Sequence, residues 1–313
     1  MRLLRLIAFT FFFATPARAE IIWIDTDVSI GSPIREVDDG FALLLAFHSP
    51  ELQIAGISTT YGNAPLGYTT RVARELADQF GGPAGLNAGK VFAGARSFHD
   101  LGQPTAASDK LAAALQKQRL TYIALGPLTD LATFLQLHPQ LSHRIDRVIF
   151  VGGRGPGSTA GFGPTRSFHF HDANIFKDPA AAAMVVGSRL SLLLVPIETA
   201  SRLLINDREL HDLRASGPAG FYLSSRSKFW LWFFTHVVRA KGGPIFDALA
   251  IMPVIRPELL SVRTRSAKID PAGNLIVQSG LTNGARRVRC CTNFDPETKS
   301  FILGRLRAAA VRR

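Results

Sequence analysis

A chain of 313 residues with 47% hydrophobic and 19% charged side chains can bury a sizeable core, which excludes a disordered chain and allows one large domain or two small ones. The formal charge of +12 gathers at Arg263 to Lys268, at Arg286 to Arg289 and at the C-terminus without interleaved aromatics, so it reads as solvated basic surface and not as a nucleic-acid-binding face. The adjacent Cys290 and Cys291 are too few for a disulfide framework and have no His or acid close by in sequence to activate them; in an oxidising compartment a vicinal bridge or pairing between chains is conceivable, with a structural role as the default.

The first pattern along the chain is an export signal. Arg2 and Arg5 precede the apolar run Leu6 to Ala14, and Ala17-Arg18-Ala19 supplies small residues for cleavage after Ala19. The run is shorter than the roughly 20 residues that span a bilayer. The expectation is a signal peptide over 1–19 and a periplasmic or secreted mature chain, free of the membrane after cleavage. Cleavage removes three arginines and no acid, taking +12 to +9.

Short apolar runs then alternate with helical patterns. Ile21 to Ile24 reads as a buried strand and Phe41 to Phe47 as a buried helix; Gln53 to Thr60 is a strand and Leu66 to Phe80 an amphipathic helix. The pattern repeats with a strand at Thr121 to Leu125, a helix at Leu128 to Leu137 and a strand at Arg147 to Val151. A Gly/Pro-rich loop, Gly152 to Arg166, precedes a helix at Pro179 to Val186 and a strand at Leu192 to Pro196; Asp207 to Arg239 is helical, its aromatics Phe229 to Phe234 read as core. No linker or repeat interrupts 20–313. This predicts one α/β domain with an open, mainly parallel central sheet and helices on both faces, with ligands beyond the carboxyl ends of the strands.

Four carboxylates sit near the end of the first strand: Asp25, Asp27, Asp38 and Asp39. A helix N-terminus tolerates some negative charge but cannot neutralise four acids, so a hard cation, Ca²⁺ or Mg²⁺, is expected among them.

Asp25-Thr26-Asp27, with Val37 to Leu43, resembles the N-terminal signature of inosine-uridine-type nucleoside hydrolases, Asp-x-Asp-x-Gly-x-Asp-Asp-x-x-Ala-Leu. Thr59 to Asn63, Ala124 to Asp130 (the family's Gly-Pro-Leu-Thr-Asn turn), Phe150 to Gly153, Asp172 to Pro179 (its Glu-x-Asn-x-x-x-Asp-Pro) and Phe246 to Ala250 (its His-Asp-x-x-Ala) follow in the family's order, over roughly residues 20 to 305. The resemblance implies Ca²⁺-dependent hydrolysis of the N-glycosidic bond of ribonucleosides in a Rossmann-like nucleoside hydrolase fold. It implies that Asp27, Asp39, Asp247 and the Leu125 carbonyl hold Ca²⁺, and that Asp27 takes the proton of a Ca²⁺-bound water. Asp38, Asn63, Asp172, Asn174 and Phe246 would face the nucleoside. Relatives are commonly dimers or tetramers, so a homo-oligomer is implied, with a small nucleoside as the only other partner.

Three departures stand out. Ten residues, Val28 to Val37, separate Asp27 from Asp38 where the family form has three, so Ser29 to Arg35 is an insertion at the mouth of the site. It could cover or contact the base, or displace Asp27 from Asp39. Phe246 stands where many members carry a His able to protonate the departing base; His169 and His171 are alternatives, though both read first as loop histidines. Asp172 replaces the usual Glu, and Arg166 is placed by sequence to meet a substrate's 5′ end. Two other readings compete: a non-catalytic riboside-binding protein on the same fold, and a phosphatase with Asp25 as nucleophile.

Overall fold

The computed structural model describes residues 19–32, 35–158, 160–164, 166, 168–280 and 282–308. Nearly all of the expected export signal therefore lies outside the described residues. Its expected successor, Glu20, opens the first strand.

The strands are β1 (Glu20–Thr26), β2 (Leu52–Thr59), β3 (Val91–Ala93), β4 (Leu120–Ala124), β5 (Ile145–Val151), β6 (Ala160–Phe162), β7 (Phe168–Phe170), β8 (Leu192–Val195), β9 (Leu204–Ile205), β10 (Gly243–Pro244), β11 (Leu260–Ile269), β12 (Leu275–Gln278) and β13 (Arg286–Phe294). The helices are α1 (Asp38–Phe47), α2 (Leu66–Phe80), α3 (Ala106–Lys117), α4 (Thr129–Leu137), α5 (Ala173–Lys177), α6 (Pro179–Gly187), α7 (Ile197–Ala200), α8 (Asp207–Arg214), α9 (Pro218–Trp232), α10 (Ala248–Ile255) and α11 (Glu297–Ala308).

Nine strands form one sheet in the order β12-β11-β13-β8-β5-β4-β1-β2-β3. Every neighbouring pair is parallel except those made by β11, which runs against β12 and β13. A parallel sheet is covered on both faces, and β1 shows it: Ile22 and Ile24 face one core while Trp23 faces the other. Helices α1, α2, α9, α10 and α11 pack on the first face, and α3, α4 and α6 on the second. This is the expected open, mainly parallel α/β sheet. The sequence reading missed β3, α3, the β6–β7 hairpin, which starts inside the Gly/Pro loop, and β11 to β13. β3 is three residues long and β12 four. β11 and β13 are rich in Arg, Ser and Thr, and lack the apolar run that marks a buried strand.

The junction of α5 and α6 shows why Asp178-Pro179 recurs as a motif. Pro179 occupies the first turn of α6, where no amide partner is needed. Asp178 accepts from the Ala181 amide (2.9 Å) and from Thr129 Oγ1 (2.6 Å), tying α6 to the start of α4. That anchor fixes the preceding turn, Asn174 to Lys177, over the carboxyl ends of β4 and β5.

Cys290 and Cys291 lie on β13, where successive side chains point to opposite faces, so each is buried in a different core. They are free, and this geometry rules out a vicinal bridge in the folded chain. Burial pushes the thiols up to about 12 and about 11 respectively. Neither thiol should react with a chromogenic disulfide reagent in the native protein, and both should react in denaturant; rapid native reaction of either would contradict this packing.

Candidate active site

The site forms where β1, β2, β4 and β5 end. Asp27 follows β1. Asp38 and Asp39 open α1, and Asp247 immediately precedes α10. Carboxylate oxygens of Asp38, Asp39 and Asp247 lie within 4.8 Å of one another, and all three residues are buried. Asp27 lies against this trio through Asn63, whose Nδ2 reaches both Asp27 Oδ1 and Asp39 Oδ2 at 3.4 Å. The Asn63 backbone amide donates to Asp27 Oδ2 at 2.7 Å. Gly62 makes that approach possible: with φ at +156°, a Cβ there would fall 1.8 Å from Asp27 Oδ2. Asp39 also accepts from Thr26 Oγ1, which binds it to the end of β1.

The electrostatics of this cluster are one-sided. Burial, then the charge of Asp27, pushes Asp39 up to about 8. Burial and neighbouring carboxylates hold Asp38 and Asp247 well above the usual carboxylate range. Asp27 is raised by burial, while the Lys177 ammonium and the Asn63 amide pull it back. One oxygen of Asp38 is buried with no hydrogen-bond partner. Several hard oxygen donors, buried, crowded and short of donors, fit a divalent cation such as Ca²⁺.

The remaining expected residues converge on the same pocket, which Leu125, Asp172, Asn174 and Phe246 line with Asp38, Asn63 and Asp247. Asn174 Nδ2 donates to the carbonyls of Leu125 (2.7 Å) and Val151 (3.0 Å). Asp172 accepts from the Gly153 amide (2.6 Å) and caps α5, and burial raises it to about 6. The Phe246 ring meets Phe162 edge-on at 6.2 Å, joining an aromatic wall with Phe170 and Phe234.

Several expectations need correction. Asp25 does not join the cluster: it points to the other face of β1, accepts from Ser58 Oγ (2.6 Å) and confronts Asp130. It has no exposed surface, which removes it as a phosphatase nucleophile. Arg166 is exposed and does not line the pocket. Asp27 is not among the three carboxylates that meet within 4.8 Å: the Asn63 carboxamide lies between it and Asp39, 3.4 Å from each. Val28, Ser29 and Ile30 tuck into the core, where Ile30 packs against Gly40 of α1. Of the two candidate histidines, His171 lines the pocket.

Two site residues escaped the sequence reading. Glu36, just past the insertion as first bounded, lines the pocket beside Asp38. Lys177, at an unspecified position of the Asp172-to-Pro179 motif, brings Nζ to 3.7 Å from Asp27 Oδ2. Only the acid's place between Arg35 and two essential aspartates could have signalled the first. Nothing local signals the second.

With this geometry in hand, relatedness can be read. Residues 22–299 match the family model described as inosine-uridine preferring nucleoside hydrolase. The chain belongs to that family. It is thereby an N-glycosyl hydrolase, and the family is metal-dependent. Among relatives, Uridine nucleosidase 1 of Arabidopsis thaliana is 26% identical over 293 residues, covering 86% of this chain and 83% of the relative. Pyrimidine-specific ribonucleoside hydrolase RihA of Citrobacter koseri is 26% identical over 272 residues, covering 75% and 81%. Among solved structures, the purine-preferring ribonucleoside hydrolase from Gardnerella vaginalis superposes with a TM-score of 0.76 at 21% identity, over 93% of this chain and 99% of that one. A plant nucleoside hydrolase gives 0.75 at 23%, over 93% and 98%. These two likenesses establish the nucleoside hydrolase fold.

The raised carboxyls set a sign for pH dependence. Asp39 binds its proton up to about pH 8 in the fold but only to 3.8 in its ordinary state, so its contribution to metal-free stability is lost as pH rises across that window. A cation competes with the same protons. The rise in melting temperature on adding Ca²⁺ should therefore be larger at pH 8 than at pH 5, as thermal melts would show; a rise independent of pH would contradict it. Gly62→Ala should cost about 1–3 kcal/mol and most of the turnover, because Asp27 must move.

Proposed function

We propose that this hydrolase cleaves ribonucleosides to ribose and free base in a Ca²⁺-dependent reaction, with Asp27 as general base. The observation that carries the reading is the meeting of Asp38, Asp39 and Asp247 within 4.8 Å, with Asp27 joined to them through Asn63. Asp27, Asp39, Asp247 and the Leu125 carbonyl would hold the ion. When bound, Ca²⁺ would anchor vicinal sugar hydroxyls and make water more acidic.

The chain's own groups divide the remaining work. Asp27 accepts the proton of a water attacking C1′, while the Asn63 amide keeps Oδ2 oriented. Asp38 and Asn63 face the ribose from one side and Asp172 and Asn174 from the other. Their negative ends stabilise positive charge as the bond to the base breaks. Phe246 presents a ring to the base and cannot donate a proton; His171 is the imidazole among the lining residues and is the group we assign to the leaving base. Relatives named for uridine and pyrimidine ribosides make uridine the first substrate to test beside inosine.

We also propose that the mature enzyme starts at Glu20 and acts in the periplasm or as a secreted protein. Glu20 pairs with Arg147 at 2.8 Å, so cleavage after Ala19 would leave β1 anchored.

Ribose release from uridine and inosine should require Ca²⁺ and fall about 10²–10⁴-fold in Asp27→Ala. No release from any riboside by a protein that binds Ca²⁺ tightly would instead support a non-catalytic binder. His171→Asn should lower kcat more than it raises KM; an unchanged kcat would free His171 of that role.

A further inference from the structure

Two charges that no family motif specifies stand beside the acidic centre. Lys177 places Nζ 3.7 Å from Asp27 Oδ2 and donates to Asn63 Oδ1 at 3.4 Å. Its side chain is 23% exposed against 1% for Asp27, so a partly exposed ammonium meets a buried acid. Glu36, which directly follows the inserted segment and stands two residues before Asp38, lines the pocket. The base of that segment is fixed rather than loose. Ser29 Oγ donates to the Glu36 carbonyl at 2.8 Å, and the adjacent Arg35 guanidinium donates to the Asn63 carbonyl. Lys177 and the inserted segment thus converge on Asn63, the residue that also holds Asp27 and touches Asp39.

Charge in a buried pocket is felt strongly. An ammonium beside Asp27 repels any divalent cation that uses the same carboxylate. A further carboxylate at the pocket wall attracts both cations. Burial raises both Asp27 and Glu36 above the usual carboxylate range, and in each the Lys177 charge opposes that rise.

We infer that Glu36 and Lys177 are positioning residues forming a charge couple that sets the cation affinity of the acidic centre. Lys177 holds Asp27 in the metal-free protein and competes with the incoming ion, and Glu36 offsets that competition. This rests on the Ca²⁺ reading above. It assigns Glu36, at the end of the inserted segment's path, a purpose: its charge makes Lys177 tolerable beside a metal ligand.

The test is calorimetric titration of the chelator-stripped full chain with Ca²⁺, without substrate, for wild type, Lys177→Met, Glu36→Gln and the double variant. Lys177→Met should bind Ca²⁺ about tenfold more tightly and Glu36→Gln about tenfold more weakly, with the double variant near wild type. In chelator, Lys177→Met should also melt below wild type, because Asp27 loses its counter-ion, and Ca²⁺ should reverse the order. Lys177→Arg keeps the charge and should retain wild-type affinity, so misfolding of the Met variant would leave the couple testable. Unchanged or weaker binding by a folded Lys177→Met protein would overturn the couple while leaving the Ca²⁺ reading intact. Failure of the wild type itself to bind Ca²⁺ would overturn the reading beneath it.

Discussion

The constraint on which the rest of the site depends is an excess of buried negative charge at the end of β1. Asp27, Asp38, Asp39 and Asp247 are each no more than 4% exposed, and Glu36 stands beside them. Carboxylates are not removed from water without protons, cations or strong donors to meet them. The helix N-terminus at Asp38 and the Asn63 amide supply part of that demand. The shortfall is what gives the site an affinity for a divalent ion. A stable parallel sheet can carry such a cluster because the cost is confined to strand ends, while β1, β2, β4 and β5 stay apolar beneath it.

Positions around the cluster follow from that demand. Gly62 has no side chain because Asp27 fills the space, and its neighbour Asn63 spends its amide and carboxamide on two acids. Asp178-Pro179 sits away from the chemistry, yet by anchoring α6 to Thr129 it fixes the turn that delivers Asn174 and Lys177.

Much of this was legible in the sequence, and the failures have physical causes. The central strands announce themselves because they are buried on both faces; β11 and β13 do not, since their outward residues are Arg, Ser and Thr. Asp27, Asp38, Asp39 and Asp247 could be named from motifs because their roles need one residue type at one spacing. Grouping Asp25 with them was an error of strand geometry. A strand directs Asp25 with Trp23 toward the opposite face, and only past the strand's end is the chain free to turn Asp27 into the site. Glu36 and Lys177 were illegible because a charge beside an insertion or at a variable motif position is usually solvated, and only the folded path brings both to the acidic centre.

Asp25 and Asp130 show how the fold keeps the negative charge from growing further. The family turn ends in Asn where this chain has Asp130. A second carboxylate facing Asp25 would deepen the deficit just below the cluster if both were ionised. Burial and the charge of Asp130 raise Asp25 well above its usual range, and burial raises Asp130 to about 7 against the pull of the Ala95 amide, which donates to Asp130 Oδ1 at 2.7 Å. The amide favours the ionised form of Asp130, so Asp25 is the member that retains a proton. The pair then carries one charge in place of two. The acid-for-amide exchange at 130 is therefore compatible with a strongly acidic site directly above it, and the cluster's unmet charge remains concentrated on the groups that face the pocket.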